Sequence, residues 1–233
     1  MTGPVLPPPD RSPAPSTSNQ RPAPLPRSAF ADGVDRLING IARHWLAIFN
    51  TAWALYFLLP LAAPFFMQVG LVTPARVIYG LYSFTCHQLP DHSYFLFGSN
   101  PVPLIPDLEA NGMGEGLDLL QRRQFIGNPE LGYKTAICQR DLAIYGAVLA
   151  AGLLYALVRP KGDKGMRQLP LWLFLIFLIP IGVDGLTQLV GLRESNWELR
   201  TLTGALFGAA AVWFAYPYVD DAMQEVLAAP PQR

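Results

Sequence analysis

Residues 45–67, WLAIFNTAWALYFLLPLAAPFFM, decide the fold class of this chain. The stretch holds no charged residue and carries aromatic side chains at both ends. A helix needs about 20 apolar residues to cross the hydrocarbon core of a bilayer, and aromatic residues concentrate at both interfaces. Pro60 and Pro64 are tolerated there as kinks, because neighbouring helices satisfy the freed backbone groups. The stretch is therefore predicted to be a membrane-spanning helix.

Three more stretches further along the chain have the same apolar character. Only 15% of all residues are charged, against roughly 25% in an average soluble domain. A shorter apolar stretch at 74–86 would extend only about 20 Å as a helix, less than the roughly 30 Å of the hydrocarbon core. The sequence therefore predicts an all-α, polytopic membrane helix bundle with one short partial or fifth helix at 74–86 and four spans, near 45–67, 141–158, 169–191 and 200–219.

Polar segments flank and interrupt this membrane domain, which covers residues 30–219. Residues 1–29 contain nine prolines among small polar residues, and such a composition cannot bury enough apolar surface to offset its ordering entropy. We expect this segment to be a disordered cytoplasmic tail, and residues 220–233 to be a second cytoplasmic tail. Residues 87–137 form a long polar connection, in which 115–124 is a candidate short helix.

Loop charge predicts the orientation of the protein in the plasma (inner) membrane. Loop 159–168 has four basic residues and one acidic residue, so the positive-inside rule makes it cytoplasmic. The connection 87–137 has six acidic and three basic residues, and loop 192–199 has two acidic residues and one basic residue. Each lies one crossing away from loop 159–168, so both are expected to be extracytoplasmic. The 17 basic and 17 acidic residues of the chain cancel, which excludes a basic nucleic-acid signature. Membrane lipids are the expected partners of a chain with this many apolar spans.

Polar residues from four separate stretches meet at the predicted extracytoplasmic face. Asp184 and Gln188 lie one turn apart on the same side of a predicted span. An ionisable residue within a span is costly unless it is paired or faces water. Asp184 therefore needs a partner, and Arg140 and Arg200 lie at a similar depth. The other polar members of this layer are Cys86, His87, Cys138, Asp141, Arg193, Glu194, Ser195, Asn196 and Thr203.

Three motifs in these stretches resemble those of a known family. They are CHQLPDHSYFLFG at 86–98, AICQRDLAIYG at 136–146 and DGLTQLVGLRESNWELRTLTGALFG at 184–208. In this order they resemble the prokaryotic family of uncharacterised integral membrane proteins catalogued as domain of unknown function 2085. Two departures from the family stand out, because Asp91-His92 replaces the Glu-Arg of many relatives and Asp141 replaces a further cysteine. The resemblance implies a membrane fold and location, and it implies no reaction.

The two cysteines of the chain allow three interpretations. Thiolate and imidazole groups suit zinc or copper, so Cys86, His87 and Cys138 are candidate metal ligands, with Asp141 or Asp184 to complete the site. Alternatively, Cys86 and Cys138 form a disulfide, which persists on the extracytoplasmic side and would contribute roughly 4 kcal/mol by closing a loop of this length. In the third interpretation both thiols are free and buried. A disulfide and thiolate ligation by the same pair exclude each other.

The arginines of the layer also allow two interpretations. Guanidinium groups match the oxygens of phosphate and carboxylate, so Arg140, Arg193 and Arg200 are candidates for holding an anion such as a lipid headgroup. The interpretation we favour is a salt-bridge network with the acidic residues of the layer, because buried charges usually pair. Asp184 and Glu194 are candidates for an acid–base couple, which makes these five residues the candidate catalytic set.

Gly204 and Gly208 form a GxxxG pattern, a close-packing face that suits contact within the bundle or with a partner membrane subunit. The sequence leaves two interpretations of function open. In the first, the extracytoplasmic cluster makes the protein metal-binding or enzymatic. In the second, the protein is a non-catalytic scaffold or accessory subunit, and the cluster is a disulfide and salt-bridge brace. Transport fits less well, since no internal repeat is evident in the sequence.

Overall fold

A computed structural model describes residues 28–160 and 166–229 of the chain. The N-terminal tail up to residue 27, the centre of the basic loop 159–168 and the last four residues lie outside the described residues, so the expectations for them stay predictions. Within the described ranges the chain forms seven α-helices: α1 (Ala29–Gln68), α2 (Val72–Tyr82), α3 (Ile105–Leu108), α4 (Leu119–Gln124), α5 (Gln139–Val158), α6 (Leu171–Leu189) and α7 (Trp197–Ala228).

Four of these helices are long and apolar enough to cross a membrane, namely α1, α5, α6 and α7. Helix α2 has 11 residues and would extend about 17 Å, too short to span the hydrocarbon core. The predicted fold class, a helical membrane bundle of four spans plus one short helix, is therefore confirmed. Helix α7 continues to Ala228, so most of the stretch expected to be a C-terminal tail is helical.

Helix α1 contains two prolines, and one of them anchors the polar connection to the bundle. Pro64 has no backbone N–H, so the carbonyl of Pro60 lacks its partner within the helix. That carbonyl instead accepts a hydrogen bond from the backbone N–H of Ala136, at 3.2 Å. Both prolines are buried, and the missing helical bond thus becomes a contact with the segment that leads into α5.

The interface between α5 and α7 is the most extensive in the bundle. A Cβ atom added at Gly208 would overlap the carbonyl oxygen of Ile144, and one added at Gly204 would lie 2.8 Å from the carbonyl oxygen of Arg140. Glycine at these positions therefore lets the two backbones approach. The close-packing face predicted from the GxxxG pattern is covered by α5 of the same chain.

The connection between α2 and α5 folds into a small cap with its own core. Its three strands, β1 (Phe95–Leu96), β2 (Gly127–Asn128) and β3 (Gly132–Lys134), are antiparallel in the order β1-β3-β2. Helix α4 begins at a capping box, in which the Asp118 carboxylate accepts from the Gln121 N–H at 2.8 Å and the Gln121 side chain accepts from the Asp118 N–H at 3.0 Å. The buried core of the cap consists of Phe95, Leu108, Met113 and Leu131.

Candidate functional site

A buried carboxylate ties three segments together at the end of the bundle that carries the cap. Asp184 on α6 is only 2% exposed. Its Oδ2 accepts from Nη2 of Arg140 at 2.6 Å, and its Oδ1 accepts from Nη2 of Arg193 at 2.7 Å and from the Ser195 hydroxyl at 2.7 Å. Arg140 also donates to the side-chain oxygen of Gln188 at 3.1 Å. One carboxylate thus holds the start of α5, the end of α6 and the α6–α7 loop in place.

The helical spacing explains why these groups meet. Asp184 and Gln188 are four residues apart on α6 and present their side chains on the same face, while Arg140 lies in the first turn of α5. Of the two partners that depth alone offers for Asp184, the structure uses Arg140 and adds Arg193. The guanidinium of Arg200 makes its closest contacts elsewhere.

Arg200 is buried without a close carboxylate partner. It is 5% exposed, and its Nη1 donates to the side-chain oxygen of Gln139 at 3.2 Å and to the carbonyl of Asp91 at 3.5 Å. The carboxylate of Glu194 lies 4.0 Å away and is itself 86% exposed. The Nε of Arg200 has no hydrogen-bond partner among the described residues. Glu194 is therefore a solvent-facing group rather than a close partner of the buried cation.

The two cysteines lie side by side between the end of α2 and the start of α5. Both are buried free thiols, and the backbone N–H of Cys138 donates to the sulfur of Cys86 at 3.2 Å. The two sulfur atoms and a carboxylate oxygen of Asp141 all lie within 4.8 Å of one another. The contact with Cys86 and burial together raise the pKa of the Cys138 thiol well above its usual value.

The histidines of this region take different positions. His87, a candidate ligand on sequence grounds, is exposed and lies outside the group formed by the two cysteines and Asp141. Its Nδ1 accepts from the N–H of Leu89 at 3.3 Å, and its ring packs edge-on against His92, with 5.4 Å between centroids. His92 is buried, and burial together with the nearby Arg200 lowers its pKa to about 3. His92 is therefore neutral at pH 7, and its Nε2 lies 3.2 Å from Oδ2 of Asp91.

A buried lysine in the cap was not singled out from the sequence. Lys134 on β3 is fully buried, and its ammonium donates to the carbonyls of Gln88 at 2.8 Å and Arg123 at 2.7 Å. Burial and the neighbouring Arg123 lower its pKa from 10.5 to about 7. A lysine within the short run GYKTAI gives no sequence signal of burial, because β3 pairs not only with its hairpin neighbour β2 but also with β1, which is distant in sequence.

Lys134 makes the stability of the cap depend on pH. The pKa of Lys134 is about 7 in the folded chain, against the usual lysine value of 10.5 in the unfolded chain. Between these two pH values the unfolded chain binds more protons at this site than the folded chain. Stability therefore rises with pH in this window, by up to about 1.4 kcal/mol per pH unit. We expect the free energy of unfolding to rise by roughly 2 kcal/mol from pH 7 to pH 9 in the unmodified protein, and to rise much less in Lys134→Met. Equal pH slopes for the two proteins, measured by chemical denaturation in detergent, would contradict this expectation.

The opposite end of the bundle holds a second buried carboxylate. Asp220 on α7 is 2% exposed. Its Oδ1 lies 3.0 Å from Nη2 of Arg159 and accepts from the indole N–H of Trp45 at 3.2 Å, while its Oδ2 accepts from Gln224 at 3.3 Å and lies 3.5 Å from the Tyr155 hydroxyl. Asp220 lies in the stretch 220–233, which the sequence predicts to be a cytoplasmic tail. A repeat of four could have revealed it, because the buried α7 residues include Arg200, Gly204, Gly208, Val212, Tyr216 and Asp220.

The two carboxylates bracket α5. Arg140 and Arg159 lie at opposite ends of α5, and each pairs with one of the buried aspartates. A helix rises 1.5 Å per residue, so the two arginines are separated by about 28 Å along the helix axis. This separation is close to the roughly 30 Å of the hydrocarbon core. Both ion pairs therefore lie near the edges of the apolar layer, where they join α5 to its neighbours.

Comparison with known proteins agrees with this architecture. Residues 122–214 match the model of a family described as a predicted membrane protein, DUF2085, which confirms the resemblance inferred from the motifs. An uncharacterised protein of Methanocaldococcus jannaschii is 29% identical over 171 residues, which cover 71% of this chain and 86% of the relative. No solved structure matches. The chain is thus a membrane protein with four apolar helices, and the matched stretch includes Cys138, Arg140, Asp184, Arg193 and Arg200.

Proposed function

We propose that this protein binds a transition-metal ion, zinc or copper(I), through Cys86, Cys138 and Asp141 at the extracytoplasmic end of its helix bundle. The observation that carries the proposal is the convergence of three ligand atoms within 4.8 Å from two distant parts of the chain. Cys86 follows α2, whereas Cys138 and Asp141 lie at the start of α5. Residues that are 52 positions apart thus present two sulfur atoms to the same point.

The donor set suits these ions. Thiolates are ligands for zinc and copper(I), and a carboxylate is a further ligand for zinc. Zinc–sulfur bonds of about 2.3 Å place two tetrahedral sulfur ligands about 3.8 Å apart, so the ligand atoms need only a small contraction to close on an ion. Three protein ligands leave a fourth position free, an arrangement typical of zinc sites that bind water or substrate.

One local feature favours deprotonated cysteine at this position, whereas burial and the contact with Cys86 favour the neutral thiol and would have to be offset by the bound ion. Cys138 is the N-cap residue of α5, and the positive end of a helix dipole favours a negative group there. Both thiols are buried, which excludes bulk water from the ligand atoms. Metal coordination would supply the positive charge that a buried thiolate pair requires.

The alternative function is a non-catalytic membrane scaffold in which Cys86 and Cys138 form a disulfide. The 3.2 Å contact between the Cys138 N–H and the Cys86 sulfur favours this alternative as well, because it holds the two residues together. The disulfide removes both thiolates, so a protein in this state binds no ion through them. The two functions therefore differ in the metal content of the purified protein.

The test is elemental analysis of the protein purified with and without a reductant, with mass determination after thiol alkylation of the preparation made without it. We expect about one metal ion per chain in the unmodified protein, and none in Cys86→Ser or Cys138→Ser. Asp141→Asn is expected to lower the affinity by at least the roughly 10- to 100-fold that loss of an outer-shell partner costs. Asp141→Cys, which introduces a third thiolate, is expected to retain the ion.

Glu130→Gln serves as the control, because Glu130 is an exposed acidic residue of the same cap and lies outside the three-ligand group. Metal retained by both cysteine variants would overturn the proposal. A metal-free protein whose cysteines resist alkylation until they are reduced would support the scaffold alternative instead.

A further inference from the structure

A cavity of about 340 Å³ lies beside the Asp184 network, between the cap and the start of α7. Its volume is at the lower end of the roughly 300–1,000 Å³ of small-molecule sites. Charged residues contribute two cations, Arg122 and Arg200, and two anions, Asp91 and Glu194, to its wall. The cavity does not include the cysteines or Asp141, so it is separate from the proposed metal site.

Arg200 is the most deeply buried charge in this wall. Its guanidinium is bonded through Nη1 to neutral oxygens only, and its Nε lacks a partner within the described part of the chain. Buried polar groups are almost always satisfied, and a buried cation without a close counter-ion is costly. An anionic oxygen in the cavity would be a closer charged partner for this guanidinium than Glu194, whose carboxylate lies 4.0 Å away.

Asp91 offers the complementary group. Its Oδ2 lies 3.2 Å from the neutral imidazole of His92, whereas its Oδ1 is buried with no hydrogen-bond partner in the described ranges. A carboxylate oxygen accepts hydrogen bonds and attracts a cation. Arg200 and Asp91 both line the cavity, and each carries one buried polar atom without a hydrogen-bond partner among the described residues.

The charges in the wall of the cavity select against a simple anion. Asp91 and Glu194 would repel a ligand that carries negative charge alone, since both line the same cavity as Arg200. A ligand that carries both a phosphate and an ammonium group offers an anionic oxygen to Arg200 and a cation to Asp91. The start of α7 also favours binding of the phosphate, because Asn196 and Trp197 line the cavity there and the N-terminus of a helix is its positive end.

Two apolar residues at the rim of the cavity are exposed. Leu104 is 67% exposed and Trp197 is 42% exposed, and both line the cavity. Tryptophan concentrates at the membrane–water interface, at the level of lipid headgroups. The rim thus suits a ligand whose polar group enters the cavity while an apolar part stays at the interface.

We propose that this cavity binds a phosphate ester that carries a primary ammonium group, the chemistry of an ethanolamine phospholipid headgroup and of its free soluble form. The phosphate contacts Arg200, with Arg122 and the start of α7 nearby, and the ammonium contacts Asp91. The site is independent of the metal-binding function proposed above, and it exists whether or not the cysteines hold an ion.

The test measures binding of short-chain phosphatidylethanolamine and phosphatidylcholine to the protein in detergent, followed by Trp fluorescence and native mass spectrometry. The unmodified protein is expected to prefer ethanolamine about tenfold, because a trimethylammonium group cannot donate a hydrogen bond to Asp91. Asp91→Asn is expected to abolish this preference. Arg200→Gln is expected to weaken binding of both lipids by at least about tenfold.

Arg122→Gln provides a second test of the phosphate contact, because Arg122 is only half-buried at the rim and its loss spares the buried network. It is expected to weaken both lipids severalfold. Arg76→Gln, which removes an exposed arginine of α2 outside the cavity, is the control and is expected to bind like the unmodified protein.

Soluble glycerophosphoethanolamine distinguishes the two sources of the headgroup. Binding as tight as that of the lipid would identify a free phosphate ester as the ligand, and binding only of the lipid would identify a membrane lipid; both outcomes support the site. Equal affinity for the two lipids, unchanged by Asp91→Asn and by both arginine variants, would overturn it. Repeating the measurement after chelation separates this result from the metal proposal, since ligand binding is expected to survive loss of the ion.

Discussion

Replacing Asp184 with alanine is expected to lower the free energy of unfolding by about 3–5 kcal/mol, the cost typical of removing one partner of a buried ion pair. The carboxylate receives hydrogen bonds from Arg140, Arg193 and Ser195. Without it, two guanidinium groups remain near the edge of the apolar layer with no counter-charge. The Nε of Arg140 already lacks a partner among the described residues. Unfolding in detergent, followed by circular dichroism and by protease sensitivity, would measure the loss.

A matched control and a double variant show whether the network causes the loss. Glu198→Gln removes an exposed acidic group from the first turn of α7 and is expected to change stability by less than about 0.5 kcal/mol. Asp184→Asn combined with Arg193→Gln is expected to cost less than the sum of the single changes, by about 0.5–3 kcal/mol, because the two groups share one interaction. Additive effects of the two changes, or an Asp184→Ala protein as stable as the unmodified one, would mean that the ion pairs do not stabilise the fold.

The fold class follows from composition because a bilayer imposes one length on every crossing helix. Residues 45–67 already identify a span through their lack of charge, and the same criterion finds the helices that became α5, α6 and α7. The shortness of the stretch at 74–86 likewise predicts a partial helix, with a fifth span as the alternative. These properties depend only on neighbouring residues, so no knowledge of tertiary contacts is needed.

The sequence predicts which residues of the candidate site lie at the same depth in the membrane, but it does not predict which of them are in contact. A carboxylate within a span needs a cation, which favoured Arg140 and Arg200 for Asp184. The structure pairs Asp184 with Arg140 and Arg193, while Arg200 contacts Gln139 and the cap. Depth follows from the distance along each helix, whereas the position of a side chain around the bundle depends on how the helices pack.

The cap shows the same division. Asp118 and Gln121 form a local capping box that the sequence displays directly. The burial of Lys134 depends on the pairing of β3 with β1, a strand that is distant in sequence. The hydrogen bond from the Ala136 N–H to the carbonyl of Pro60 is also long-range. The sequence predicts only that this carbonyl is free, because Pro64, four residues further along the helix, has no N–H to bond it.

Replacing Gly208 with alanine is expected to be the most disruptive single-methyl change in the bundle. In an exposed helix, glycine to alanine adds about 0.5–1 kcal/mol of stability because the unfolded chain loses freedom. At Gly208 the new methyl group would overlap the backbone oxygen of Ile144, and a backbone atom cannot rotate away as a side chain can. Helices α5 and α7 would have to separate along their whole interface.

Gly182→Ala on α6 is the matched control, because a Cβ atom there meets no other atom within 4 Å. The two variants make the same chemical change in the middle of a membrane helix and differ only in what the methyl group contacts. Overpacking costs about 1–3 kcal/mol, so we expect Gly208→Ala to be less stable than Gly182→Ala by about 1–3 kcal/mol, because the helical gain is the same for both variants and cancels. Arg140 lies at the start of α5, the helix that must move, so Gly208→Ala should also pull the Arg140 guanidinium away from Asp184. The loss of stability caused by Asp184→Ala should therefore be smaller in the Gly208→Ala protein than in the unmodified protein. Equal stabilities of the two alanine variants, measured by thermal unfolding in the same detergent, would show that α5 and α7 do not pack through these glycines.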